Sequence, residues 1–208
     1  MNRANERLMS DLPQTPHLRG FTVANTVQWV QRAYGEPILQ RALNRLPPHE
    51  RIYFQRSILS MGWYPFSAWE HFLDATYAEI GAITGEDTDA LDYRNFREGA
   101  GTTMRTIYKF FFSFMEPVST LARLGSLFPR VYSHGCSELL ENRQGFSINR
   151  CTVPEEMRHN IKRTTRHGIV YVLELVGARD VRVEITRDEA HPTLPGNWIV
   201  ETSTRYRV

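Results

Sequence analysis

Cysteine is nearly missing from this chain of 208 residues: Cys136 and Cys151 are the only two. One pair of thiols cannot form the dense disulfide framework of a small secreted domain. With 41% apolar and 12% aromatic residues, the chain has enough core material to do without one. Lysine is equally scarce, at Lys109 and Lys162 among 25 basic side chains. The basic residues are spread along the chain and the formal net charge is only +2, so there is no electrostatic footprint for nucleic acid. Long hydrophobic runs are lacking too. The longest, "FFFSFM", falls far short of the ~20 residues that cross a bilayer. The opening "MNRANERLMSDLPQTPH" is polar and charged, without the apolar stretch of a signal peptide. A soluble, cytoplasmic protein is expected. No Walker loop, GxGxxG, GxSxG, HExxH or EF-hand pattern occurs, and the carboxylates form no obvious pair. These absences favour a non-enzymatic protein without cofactor or metal.

The residues present fall into two halves. Residues 1–19 read as a weakly ordered arm, and 20–208 as a single α+β domain. In residues 20–128, Val23, Val27 and Val30 begin a helical pattern that "YGEP" interrupts. Ile38, Leu39, Ala42, Leu43 and Leu46 make a second helix, closed by Pro47 and Pro48, and residues 49–60 suggest a third. After "GWYP", the spacing of Phe66, Trp69, Phe72, Leu73, Tyr77 and Ile80 predicts a long amphipathic helix. Another helical region is read over 88–114, and one more from Pro117. Residues 129–208 change character. Two strands, "RVYSHGCSELLE" and "RQGFSINRC", precede a long helix through "TVPEEMRHNIKRTTRHGIVYVLELVGA". "DVRVEIT" and "WIVETSTRYRV" alternate as two further strands. Strand–strand–helix–strand–strand implies antiparallel hairpins on each side of the long helix. The expected fold is a multi-helix layer packed on a four-stranded antiparallel sheet.

Three stretches carry a likeness: "MGWYPFSAWEHFLDA", "IYKFFFSFMEPVSTLARLGSLFPRVYSHGCSEL" and "HGIVYVLELVGARDVRVEIT". Over roughly residues 20–187 they resemble the DUF2378 group of myxobacterial paralogues of unknown function, which implies no activity. The ββαββ ending also resembles the ligand-binding domains named after 4-vinyl reductase, haem nitric-oxide-binding sensor domains and small subunits of Golgi transport complexes. Its last strand departs from the vinyl-reductase pattern in having no cysteine. The Tyr-x-Ser-x-Arg signature of the haem sensors is also absent, since "STRYR" at 203–207 is a different arrangement. Of the histidines on predicted helices, His71 neighbours Phe72 but lies between Glu70 and the apolar stripe, and His159 sits in the polar stretch "MRHNIKR". An axial ligand needs to face an apolar pocket.

Four stretches stand out for chemistry. Trp63, Tyr64, Phe66 and Trp69 flank a turn into a helix; they suit a helix–helix joint first and a pocket wall second. Tyr108 and Phe112 lie in a stretch that is apolar almost all round, which reads as a core helix or a cavity lining. Tyr132, His134 and Cys136 alternate, so a strand would present all three on one face. A His–Cys dyad there competes with a plain buried thiol and an edge histidine. Arg158, Lys162 and Arg166 share a helix face, which is either a solvated stripe or an anion site. The leading expectation is a sensory or regulatory domain that binds a small, mostly apolar molecule between helices and sheet. Trp63, Tyr64, Tyr108, Phe112 and Tyr132 are the residues expected to touch it. The alternative is an interaction or scaffold module that forms a homodimer or docks a protein partner without any ligand.

Overall fold

A computed structural model describes residues 13–100 and 115–208. The first element of the described residues is a short strand β1 (His17–Arg19), followed by helices α1 (Gly20–Tyr34), α2 (Glu36–Arg45) and α3 (Pro48–Gln55). Strand β2 (Trp63–Pro65) pairs antiparallel with β1, setting Leu18 opposite Tyr64. Helices α4 (Phe66–Thr84) and α5 (Thr88–Arg94) follow, and α5 runs into a π-helical turn over Asn95–Ala100. Beyond Glu116 come α6 (Pro117–Val131), β3 (Cys136–Arg143), β4 (Phe146–Pro154), α7 (Arg158–Leu175), β5 (Arg179–Ala190) and β6 (Asn197–Arg207). The last four strands form one antiparallel sheet in the order β3-β4-β6-β5. The expected α+β architecture, a helical layer on a four-stranded antiparallel sheet, is the one observed.

The two halves share a core. Val23, Trp29 and Val30 of α1, Phe66, Phe72, Leu73 and Ile80 of α4, and Leu91 of α5 pack in one cluster with Cys151 and Val153 of β4, Met157, Ile161 of α7 and Val200 of β6. The stacked Phe54–Phe72 pair, with centroids 4.6 Å apart, ties α3 to α4. A second cluster, Leu121, Ile169, Leu173, Ala178 and Tyr206, holds α6 and α7 to the sheet.

Several expected boundaries shift. The arm expected through residue 19 gives way to structure at His17, because Leu18 is fully buried and its neighbours complete the two-stranded ladder with β2. Helix α6 continues past Pro129 to Val131. A proline so close to a helix end removes little, and Tyr132 N–H still donates to Phe128 O at 2.9 Å. Strand β3 begins only at Cys136, since Gly135 takes φ +90°, a conformation that favours glycine. Tyr132, His134 and Cys136 therefore do not line one strand face. Thr152–Pro154 belong to β4 rather than to the long helix. Thr152 and Val153 pair with Ile199 and Trp198, and this ladder outweighs the helix-start signal of Pro154, Glu155 and Glu156. A single 3₁₀ turn, Glu155–Met157, then leads into α7. The helical region read over 88–114 has a capped start, where Ala90 N–H donates to Asp87 Oδ1 at 2.8 Å. From residue 101 to 114, with Tyr108 and Phe112, it lies outside the described residues.

Candidate functional site

The helical layer meets α7 along a polar seam. On α7, Asn160, Arg163, Thr164, His167 and Tyr171 recur at helical spacing and occupy one face. Glu70, Asp74 and Tyr77 do the same on α4, and Asp89 and Asp92 on α5. The two sets face each other. Tyr77 donates its hydroxyl to Asp92 Oδ1 at 2.8 Å, and Asn95 Nδ2 donates to Tyr77 Oη at 3.0 Å. Thr26 of α1 donates to Asn95 Oδ1 at 3.1 Å. From the other side, His167 Nε2 lies 3.2 Å from Asp89 Oδ1 and 3.8 Å from Asp92 Oδ2. The Arg163 guanidinium lies 4.0 Å from Asp74 Oδ1. The Asn95 side chain enters this network from the π-helical turn, whose extra residue per turn re-aims side chains.

Several seam atoms are buried and unpaired. Both amide atoms of Asn160, Asp92 Oδ2, Arg163 Nε and the Tyr171 hydroxyl find no hydrogen-bond partner among the described residues. Native interiors rarely leave such groups unpaired, because each costs on the order of 1–3 kcal/mol.

Burial also moves the proton affinities of the seam. Loss of solvent pushes the Glu70 carboxyl up to about 7, against the pull of Arg163. The Asp92 carboxyl is likewise raised by burial, with Arg163, the Tyr77 hydroxyl and His167 opposing. The Tyr77 hydroxyl is held well above its ordinary range by burial and the Asp92 carboxylate. For Glu70 the folded value lies above the unfolded one, so the folded state binds more protons between about 4.5 and about 7. Its contribution to stability is therefore complete below 4.5 and declines as pH rises to about 7. Glu70→Gln should abolish that slope and unfold on the order of 1–2 kcal/mol later than the parent at pH 8. Urea titrations at pH 5 and pH 8 check this: an unchanged pH slope in the variant contradicts it.

The expected aromatic contacts separate into an outer and an inner group. Tyr64 accepts the Leu59 N–H at 2.9 Å and meets Tyr53 edge-on. Trp63 is half-buried under the Arg19 guanidinium, 3.7 Å from the ring centre. Trp63 belongs to the outer edge of the helical layer, while Tyr64, half-buried, also packs against the main core cluster. Tyr132 lies inside, against Phe66 and Phe128, with its hydroxyl at the Thr164 side chain. Burial pushes that hydroxyl up to about 12. Phe66, Trp69 and Phe72 are buried and form the helix joint.

The basic stripe is neutralised by carboxylates distant in sequence. Arg158 holds Asp188 of β5 through two guanidinium nitrogens, at 2.7 and 2.9 Å, and Lys162 Nζ is 2.6 Å from the same carboxylate. Trp198 Nε1 donates to Asp188 as well, and Arg158 covers the Trp198 ring. These donors hold the Asp188 carboxyl well below the usual carboxylate range. Arg166 faces Asp89 at 3.5 Å. Arg158, Lys162 and Arg166 thus face carboxylates and do not form the unneutralised stripe an anion site needs.

The His–Cys dyad does not form. His134 Nδ1 is 2.8 Å from Ser133 Oγ, Cys136 is exposed, and the bend at Gly135 separates them. Cys151 is buried, and burial pushes its thiol up, away from the reactive thiolate. Among the described residues, no three His, Cys, Asp or Glu side chains converge as metal ligands. No helix of the described residues is long and apolar enough to cross a membrane.

Sequence reasoning missed His167, Asp92, Tyr77, Asn95 and Asn160. A usable signal was present in the polar residues recurring at 70, 74 and 77, at 89 and 92, and at 160, 163 and 167 on helices that otherwise read as core-facing. Outside the seam, Glu86, Ala90, Tyr93, Arg94, Arg97 and Glu98 line an open depression of ≈ 270 Å³. Tyr93 links this depression to the interior, since its ring packs on His167 with centroids 5.5 Å apart.

No family model and no curated protein matches the chain. Solved structures do. An oxygen-binding H-NOX domain related to soluble guanylate cyclases aligns with TM-score 0.64 at 10% identity, over 91% of this chain and 95% of that one. An H-NOX protein from a study of heme distortion in that family gives 0.67 at 10%, over 91% and 95%. The unliganded Fe(II) H-NOX protein from K. algicida gives 0.61 at 13%, over 91% and 97%. The fold of this chain is H-NOX-like over nearly its whole length.

Proposed function

We propose that this chain is a sensory domain that binds a small, mostly apolar molecule between its helical layer and its sheet-bearing half. The observation that carries the reading is the seam. There, Asn160, Asp92 and Arg163 keep buried polar atoms that find no partner among the described residues, where two halves of one fold meet. A ligand with an apolar body and one polar end would satisfy such atoms and bury its remainder against Tyr132 and Tyr171. Tyr108 and Phe112 remain proposed contacts, while Trp63 and Tyr64 lie on strand β2, away from the seam network. Signalling would follow from population shift, because a ligand that binds one packing of α4 and α5 on α7 more tightly favours that packing.

Haem fits this chain poorly. His49 and His71 have mostly exposed side chains beside Glu50, and His159 is exposed. His167 is buried, but its Nε2 faces Asp89 and Asp92 and its ring lies on Tyr93. No histidine lies in residues 101–114. His17 Nδ1 faces Thr15 O, His134 Nδ1 faces Ser133 Oγ, and His191 Nδ1 accepts from the backbone of Thr193 and Leu194. None of the seven histidines is an axial imidazole facing an apolar pocket among the described residues. The resemblance to the DUF2378 group adds no activity to this reading.

Native mass spectrometry of the full chain is the test, together with its melting temperature before and after solvent extraction. A retained small molecule whose removal lowers the melting temperature is expected, and Asn160→Leu should abolish retention. A chain that is always ligand-free, and whose melting point extraction does not change, overturns the reading. A stable dimer under those conditions would favour the scaffold role.

A further inference from the structure

We infer that the tip formed by the end of α3 and the turn through residues 59–62 docks on an anionic lipid surface. Leu59 and Met61 are 70% and 73% exposed, and Ile52 of the preceding α3 is 50% exposed. Isolated exposed aliphatic residues are ordinary, but Leu59 and Met61 share one short turn that is rigidly presented. Gly62 N–H donates to Leu59 O, Gly20 N–H to Gly62 O and Phe21 N–H to Ser60 O, each at 2.9 Å. The tip can therefore enter an interfacial layer with these backbone amides already paired, which removes the main cost of placing a turn there.

The rim has the chemistry of a membrane–water boundary. Trp63 and Tyr53 flank the tip, and such rings favour the headgroup level. Arg19 stacks on Trp63 and donates to Met61 O at 2.6 Å, which fixes a guanidinium at the base of the apolar tip. Arg56, just after α3, is exposed as well. No acidic residue occurs from Arg51 to Trp69, and Glu50, just before that stretch, is buried against His71. An apolar tip with a cationic rim calls for an anionic and deformable partner. A second copy of this chain fits less well, because the same stretch of the copy, without an acidic residue from Arg51 to Trp69, offers Arg19 and Arg56 no counter-charge. This surface is separate from the seam, and its test does not depend on the ligand reading.

Co-sedimentation of the full chain with phosphatidylcholine vesicles, with and without phosphatidylserine, tests the proposal. Binding is expected to the phosphatidylserine-containing vesicles and to fall as salt is raised. The double variant Leu59→Asp/Met61→Asp should lose binding at least about tenfold with an unchanged melting temperature, since both side chains are exposed. Arg56→Glu should weaken binding several-fold. A chain that stays in the supernatant with anionic vesicles overturns the proposal, as does a double variant that binds like the parent. If light scattering instead shows a dimer that the double variant dissociates, without vesicle binding, the tip belongs to a second copy and the lipid assignment falls.

Discussion

Arg163→Met is expected to cost the fold about 3 kcal/mol at pH 8 and clearly less at pH 5. Arg163 projects from α7 into the seam, where its charge opposes the burial that raises both Glu70 and Asp92. Methionine keeps most of the side-chain volume and removes the charge. The buried Asp92 and the half-buried Glu70 then lose their principal cation. Neither carboxyl pairs directly with it, so the cost is set no higher than the low end of the about 3–5 kcal/mol typical of a broken buried pair. The low end applies because Asp74, the carboxylate 4.0 Å away, is itself 68% exposed and remains hydrated. The pH dependence has a definite sign. Without the guanidinium, the folded-state affinities of Glu70 and Asp92 for protons rise further, so the variant takes up protons on folding over a wider range. Its deficit is greatest where both groups must be charged, and it shrinks as acid neutralises them. Urea unfolding at the two pH values measures the difference. Equal deficits would show that Arg163 acts through packing alone. Asp92→Asn in the Arg163→Met background should recover part of the loss at pH 8, because it removes the charge left unpaired.

The elements that rely on local pattern were legible in the sequence, and the contacts that close the seam were not. Val181, Val183 and Ile185 alternate against charged neighbours, so β5 could be read directly, and the two hairpins around α7 then followed from short connections. Two local signals pointed the wrong way. Tyr132, His134 and Cys136 alternate like a strand, yet the left-handed conformation at Gly135 breaks the extended chain between them. Pro154, Glu155 and Glu156 look like the first turn of a helix, but the preceding pair Thr152 and Val153 is fixed by β6, more than forty residues later. The partners of the α7 cations lie as far away. Arg158 and Lys162 meet Asp188 on β5, and Arg163 meets Asp74 on α4. A helix read alone shows that these charges share a face and gives no sign of what faces them. The same blindness hid His167, whose burial comes from Tyr93 and the α5 carboxylates rather than from its own neighbours.

Gly20→Ala should be the most damaging single methyl group added to the helical layer. The new Cβ would lie 2.1 Å from Leu59 O and 2.7 Å from Tyr64 Cε2, inside any tolerable contact. Neither neighbour can retreat cheaply. The Leu59 carbonyl accepts the Gly62 N–H, the Tyr64 hydroxyl accepts the Leu59 N–H, and the Gly20 N–H itself donates to Gly62 O. Relief of the clash therefore requires the whole 59–62 turn to lift from the start of α1. A loss of about 3 kcal/mol is expected, at the upper end for overpacking because a carbonyl and an anchored ring must both move. Gly85→Ala separates this cause from backbone conformation. Gly85 has φ +74° and nothing within 4 Å of a built Cβ, so alanine there meets only the left-handed penalty, about 1 kcal/mol. Thermal melts of the two variants should differ accordingly, and equal losses would remove the steric argument. Limited proteolysis adds a second readout. Cleavage at Arg56 should accelerate in Gly20→Ala and stay at the parental rate in Gly85→Ala, because only the first substitution lifts the turn that follows Arg56.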